Sequence, residues 1–401
     1  MQLKAFYGLP EEVKFCKVCT ISNQRPSSVV EYKNNVAQKK PTIEFDEQGV
    51  CSACRFSEIK NNKINWSDRE KELMDLCDQF RSKGGKYDCV VPGSGGKDSV
   101  FVSHILKYKY KMNPLTVTWA PHRYTDIGWK NFQSWIHAGF DNILFTPNGK
   151  VHRQLTKLAF LNLVHPFQPF IIGQRQIGPK HSYLYNIPLV FYGENQAEYG
   201  NNIKENDRPN MDPSFFSGSQ NLDDFFLGGC SLEQLKTEYS IPVHDLQPYL
   251  PLDNEKIQKA KTQVHYLSYY LKWDPQECFY YAQENVGFVT NPERTEGTYS
   301  KYSSIDDMID YLHYYTTYIK FGIGRSTYDS CQEVRNKKIT REEGVALVKR
   351  YDGEFPKKYF KENLEYLGIT EREFYETIDK ARSPHLWEKR GAEWILRHQV
   401  N

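Results

Sequence analysis

The chain has 401 residues, 39% of them hydrophobic and 25% charged, with a formal net charge of +2. That length supports two or three domains around a substantial core, and the near-neutral balance lacks the long-range field with which proteins bind nucleic acid without specificity. The start, Met1-Gln2-Leu3-Lys4-Ala5-Phe6-Tyr7, has no apolar stretch of the signal-peptide kind, and the best membrane-span candidate, Leu161 to Gly173, is broken by Asn162, His165, Pro166, Gln168 and Pro169, so no membrane insertion and a cytoplasmic location are expected.

Nine cysteines without a secretion signal do not read as a disulfide framework. Cys16-Lys17-Val18-Cys19 and Cys51-Ser52-Ala53-Cys54 form two Cys-x-x-Cys knuckles with residues 20 to 50 between them. Two such knuckles supply the four thiolates of a tetrahedral zinc site; an iron–sulfur cluster and four idle thiols are the alternatives. A closed four-thiolate site leaves no open coordination position, so its expected role is folding. Phe45 to Val50 reads as a hairpin turn that delivers the second knuckle, and residues 1–66 form the cysteine module. Cys77, Cys89, Cys230, Cys278 and Cys331 are expected in core or half-buried positions.

Trp66 to Arg81 is helically spaced, with Ser67 as the expected N-cap and Leu73, Leu76 and Phe80 on one face. Strands are expected at Tyr87 to Pro92, Pro114 to Ala120, Asn142 to Thr146 and Pro188 to Tyr192. Helical patterns intervene at Asp98 to Tyr110, Asp126 to Ala138 and Lys150 to Leu163. This alternation predicts an α/β domain over 67–230, a parallel sheet with helices on both faces and ligands at the carboxyl ends of its strands.

At such an end lies Gly93-Ser94-Gly95-Gly96-Lys97-Asp98-Ser99. Small residues let the backbone approach an anion, and a helix N-terminus adds N–H groups and partial positive charge. The spacing is not that of a Walker A loop, which has four residues between its glycines and Ser or Thr directly after Lys. Asp98 would be repelled by a polyphosphate unless a cation lay between them, which implies magnesium. Phe191-Tyr192-Gly193-Glu194-Asn195-Gln196-Ala197-Glu198-Tyr199-Gly200 brings two carboxylates and two amides to the same edge, to hold a metal, orient a ribose or position an acceptor, or simply to complement a helix N-terminus. The stretch Asn201 to Gly229 is too long for a simple connector and reads as a lid, a binding loop or a disordered segment.

From residue 231 to 401 helix-compatible segments dominate. Asp306 to Phe321 carries apolar residues at helical spacing and ends in Lys320-Phe321-Gly322-Ile323-Gly324-Arg325. Lys320 and Arg325 either decorate a helix terminus or reach back to a phosphate. Thr340-Arg341-Glu342-Glu343 is a capping box that opens another helix.

Ser94-Gly95-Gly96-Lys97-Asp98-Ser99 resembles the PP-loop of the ATP pyrophosphatase superfamily, whose members cleave ATP between the α and β phosphates. Together with the Phe191 to Gly200 segment, Lys320 to Arg325, the paired knuckles, Tyr351-Asp352-Gly353-Glu354 and His385-Leu386-Trp387, it resembles the N-acetyl sugar amidotransferases of the WbpG and PseA type. The resemblance implies adenylation of a sugar acetamido group and displacement of AMP by ammonia to give an acetamidino sugar, in surface polysaccharide or flagellar glycan synthesis. Ser94, Gly95, Gly96, Lys97, Asp98 and Ser99 would then hold ATP, with Asp98 anchoring magnesium and Glu194 as a second acidic contact. Thr118 and Trp119 would border adenine, and Lys320 and Arg325 would be phosphate contacts. No cysteine stands where a glutaminase needs its nucleophile, so a separate HisH-like glutaminase subunit is the expected source of ammonia. The rival reading is a PP-loop tRNA sulfurtransferase with a cysteine-bound metal centre, which the absence of a basic, arginine-rich stripe disfavours.

Overall fold

The computed structural model of the protein describes residues 3–28, 30–34, 39–218 and 225–401. Met1 and Gln2, and residues 219–224 of the long Asn201 to Gly229 stretch, lie outside the described residues. Four apolar runs become strands where periodicity predicts them: Cys89–Pro92 (β1), Pro114–Trp119 (β2), Asp141–Phe145 (β3) and Leu189–Tyr192 (β4). Gln263–Tyr266 (β5) joins them, in the order β3-β2-β1-β4-β5, with every neighbouring pair parallel. Because β5 lies past residue 230, in the part read as helical, the sheet crosses that boundary. Its four residues include Gln263 and His265, so no apolar run announces it; His265 is buried because its Nδ1 meets the Tyr270 hydroxyl at 2.7 Å.

Successive strand residues point to opposite faces, and each face has its own cover. Val90 and Val190 pack with Leu155, Ile172 and Ile177 on one side. Cys89, Val91, Leu189 and Phe191 pack with Leu73, Val102 and Leu106 on the other. The covering helices follow the chain: Ser52–Asn62 (α1), Trp66–Phe80 (α2), Lys97–Tyr108 (α3), Asp126–His137 (α4), Gly149–Leu163 (α5) and Gln168–Tyr185 (α6). Asn65 rather than Ser67 caps α2, its side chain accepting from the Ser67 N–H at 3.2 Å. Helix α6 absorbs much of the interrupted apolar window. Pro169 falls in its first turn, where no N–H is needed, and Gly173 lets it lie on the sheet, since a Cβ there would stand 2.3 Å from the Trp119 ring.

Beyond β5 the chain is mainly helical: Pro275–Val286 (α7), Asp310–Phe321 (α8), Arg325–Arg335 (α9), Arg341–Tyr351 (α10), Phe360–Leu367 (α11) and Glu371–Ala381 (α12), then the antiparallel pair Trp387–Arg390 and Glu393–Leu396. The Thr340/Glu343 capping box forms reciprocally. Helix α8 starts four residues after Asp306, because Asp306 and Asp307 are occupied elsewhere: Ser94 donates to the first at 2.8 Å and the His122 N–H to the second at 2.7 Å. The cysteine module shares a core with this region, Leu9, Ile21 and Ile43 packing with Phe321, Ile323, Leu386 and Trp387. Its expected hairpin turn is present as an antiparallel bridge between Phe45 and Cys51. No helix among the described residues is long and apolar enough to cross a membrane.

Candidate functional site

Strand order reverses between β1 and β4, and in an open parallel sheet the crevice beyond the carboxyl ends at that point is where ligands sit. Strand β1 runs into Gly93 to Gly96, and β4 runs into Gly193 and Glu194. Both segments open on a cavity of about 920 Å³. The loop is tightly built. Gly95 has φ +84°, and a Cβ there would stand 2.7 Å from the Phe132 Cα. Gly95→Ala is therefore expected to cost about 1–3 kcal/mol, read as a lower Tm in thermal denaturation. Ser99 donates to the Gly96 carbonyl at 3.0 Å, and α3 begins at Lys97 with its free N–H groups at the loop.

The Lys97 Nζ lies 2.7 and 2.6 Å from the two carboxylate oxygens of Asp98. Glu194 accepts from the Trp273 indole N–H at 3.0 Å. Burial first, and then the Asp98 carboxylate, push Glu194 up to about 8, with Lys97 pulling the other way. Burial opposes the Lys97 charge, but Asp98 and Glu194 more than restore it. Two carboxylates thus act on one ammonium, Asp98 by direct contact and Glu194 through its field. Such a group suits a hard divalent cation with oxygen ligands, and Asp98 and Glu194 are the residues that would hold it.

Ser94, Gly96, Asp98, Ser99, Glu194 and Lys320 all line the cavity. Lys320 lies at the far wall, 1% exposed and already engaged: its Nζ is 2.6 Å from Glu31 Oε2 and 2.7 Å from the Leu163 carbonyl. Arg325 does not reach the cavity. It follows the Gly322 to Gly324 break and turns to Asp329, 3.1 Å away, beneath the Tyr314 ring. Thr118 and Trp119, expected to border adenine, are likewise not among the residues that line the cavity. The Thr118 hydroxyl is fully buried and accepts from the Asn142 side chain at 3.0 Å. Trp119 packs on Phe145 and Tyr249 in the sheet–helix core; the end of β2 lies under α5 and α6, away from the β1–β4 crevice. Glu198, the second carboxylate after β4, is tied to Lys60 at 2.9 Å. Periodicity could not anticipate Glu31 or Arg175 at this cavity, or Asp306 beneath Ser94, since each arrives from a distant part of the chain.

The four knuckle cysteines come together with all sulfurs within 4.8 Å of one another, all four side chains buried. Cys16 and Cys54 are 3.9 Å apart, and Cys19 and Cys51 3.7 Å apart. Zinc–thiolate bonds of about 2.3 Å in a tetrahedron place sulfurs about 3.8 Å apart, so these residues fit a zinc ion. The backbone N–H groups of Val18 and Cys51 both point at the Cys16 sulfur at 3.4 Å, the support a ligating thiolate receives. Cys331 stands beside the cluster, 3.1 Å from the Thr20 hydroxyl, as a fifth and separate thiol.

Against this geometry the comparisons are specific at one end of the chain. Residues 296–400 match the family described as the C-terminal domain of WbpG-like LPS biosynthesis proteins. The chain is also similar to the uncharacterized protein MJ1599 of Methanocaldococcus jannaschii, 34% identical over 83 residues. That similarity covers 21% of this chain and 29% of the relative's length.

Proposed function

We propose that this chain is an ATP-dependent amidotransferase that converts the acetamido group of an N-acetylated sugar into an acetamidino group, for lipopolysaccharide or related surface glycan synthesis. The observation that carries the reading is the meeting, in one cavity at the β1–β4 crevice, of a glycine loop, the Asp98 and Glu194 carboxylates and a wide far wall, with the Lys97 ammonium bonded to Asp98 just behind the lining. The WbpG-like match of residues 296–400 supports the pathway.

An amide oxygen is a poor leaving group. Its attack on the α-phosphorus of ATP breaks the α–β bridge, releases diphosphate and leaves an O-adenylyl imidate; ammonia then adds to that carbon and AMP departs with the former amide oxygen. The loop N–H groups from Ser94 to Ser99 and the Lys97 ammonium hold the outer phosphates and stabilise charge on departing diphosphate, where positioning and electrostatics do most of the work. Asp98 and Glu194 would hold magnesium, which when bound would supply charge shielding for the phosphates. Zinc at Cys16, Cys19, Cys51 and Cys54 has a folding role. Nitrogen comes as ammonia from a separate HisH-like glutaminase subunit.

Incubation with ATP, magnesium and ammonium across a panel of N-acetylated sugars and sugar nucleotides tests the reading. The expected products are AMP and a sugar in which NH replaces the carbonyl oxygen, detected by mass spectrometry. ADP as the productive product overturns it. A pH dependence follows from Glu194. Because its carboxyl is pushed from an ordinary 4.5 to about 8 in the fold, a bound cation must expel its proton. Calorimetric affinity for magnesium with α,β-methylene-ATP is expected to rise, by up to about tenfold per pH unit, between about pH 6 and about pH 8, and Glu194→Gln flattens that slope. The same shift removes stability as pH rises from 4.5 toward 8, since the unfolded carboxyl ionises first.

A further inference from the structure

We propose that Glu31 is a positioning residue that latches the segment between the two cysteine knuckles onto the far wall of the cavity, so that metal loading of the four-cysteine cluster governs the shape of that wall. The segment leaves the cluster at Cys19 and returns at Cys51, so the cluster pins both of its ends. Between those ends it contributes Arg25, Glu31 and Lys40 to the cavity lining. The wall of the nucleotide cavity is therefore built partly from the module whose expected role is folding alone.

Glu31 is where this segment meets the rest of the molecule. Its carboxylate lies 2.6 Å from Lys320 and 3.0 Å from Lys40. Its carbonyl accepts from the Gln168 side chain at 3.1 Å, and Arg175 donates to the neighbouring Ser28 carbonyl at 2.5 Å. Burial alone would raise the Glu31 carboxyl, but Lys320, Lys40 and His165 pull it down to about 2, so it is ionised throughout the working range. Lys320 is the decisive partner. It is 1% exposed, and its other acceptor is the Leu163 carbonyl at the end of α5. One buried contact thus joins the inter-knuckle segment, α5 and α8. Neutralising Glu31 leaves the Lys320 charge buried without a counter-ion, an arrangement the fold relieves by separating the elements. Freeing the segment's ends at the cluster removes the other restraint on the same wall.

The latch rests on the proposed function only in making this wall the acceptor side of the site, and the experiment separates the two. Amide hydrogen exchange of the full chain, read by mass spectrometry, is combined with calorimetric titration of magnesium and α,β-methylene-ATP. Glu31→Gln is expected to speed exchange at residues 25–28 and 39–41, whose hydrogen-bonded N–H groups include Arg25, Ser27, Ser28 and Lys40, by about tenfold or more, while zinc content, exchange at residues 89–106 and affinity for the analogue change by less than about twofold. Glu31→Asp, which keeps the charge, is expected to restore most of the protection. Stripping metal from the unmutated chain with 1,10-phenanthroline is expected to open the same residues. Unchanged exchange there in Glu31→Gln, or loss spread equally over residues 89–106, overturns the latch. If Glu31→Gln does not fold, the phenanthroline titration decides, and continued protection of residues 25–28 and 39–41 in the metal-free chain overturns the proposal. Failure of the unmutated chain to bind the analogue removes the ATP reading and leaves the exchange pattern to judge the latch.

Discussion

Lys97→Ala is expected to lower AMP formation by about a thousandfold or more, with the fold retained. The ammonium sits at the first residue of α3, bonded to both oxygens of Asp98. On the proposed reading it holds charge that grows on departing diphosphate, beside the Asp98 carboxylate that lines the cavity. Folding is spared because Glu194 already takes up a proton near neutral pH, leaving Asp98, half open to solvent, as the carboxylate to be accommodated. Single-turnover assays scored for AMP, beside thermal denaturation, check both halves. Asp98→Ala is expected to lose turnover to the same degree through loss of the cation. A Lys97→Ala enzyme keeping a tenth of its rate would place the phosphates elsewhere.

Cys51→Ser is expected to give the largest loss of stability, about 3–5 kcal/mol, or about 5 °C in Tm for a chain of this size, together with loss of bound zinc. Structural zinc is strongly coupled to folding, so removing one thiolate of four is costly. Cys51 is also where α1 begins, and α1 carries the cluster's influence inward: Ser52 donates to the Gly200 carbonyl at 2.6 Å, and Lys60 reaches Glu198 at 2.9 Å. Cys230, buried in a different core near Leu235 and Tyr249, supplies the control; Cys230→Ser should keep its zinc. Metal analysis and calorimetry on the two variants make the comparison. Equal zinc content and Tm in both would show that the cluster does not hold the ion.

The central strand, the glycine loop and the helix after it were legible because they combine a fully apolar run with small residues and a helix start, signals local to about twenty positions. The knuckles were legible for the same reason, as two short fixed spacings. What escaped reading depends on partners far away in sequence. His265 looks like a break in β5 until Tyr270 supplies a hydrogen bond. Helix α6 tolerates Pro169, Gly173 and Pro179 because its surface fits the sheet beneath it. Lys320 reads as a phosphate ligand or a helix-end charge, and only tertiary structure brings Glu31 to it. Thr118 and Trp119 end a strand, which marks the ligand edge in general, but whether a strand's end lines the crevice depends on strand order, and these two do not line the cavity.

The fifth strand has a consequence for how the molecule is made. Residues 193–262 must leave the ribosome before Gln263–Tyr266 can dock along β4, and until then one margin of the sheet offers unpaired backbone to any passing polypeptide. A product stopped at residue 230 would contain the entire glycine loop and still be sticky rather than a miniature nucleotide-binding protein. The nascent chain is therefore most exposed to aggregation just when the half that carries the glycine loop is finished, and chaperone dependence should centre on that interval of translation.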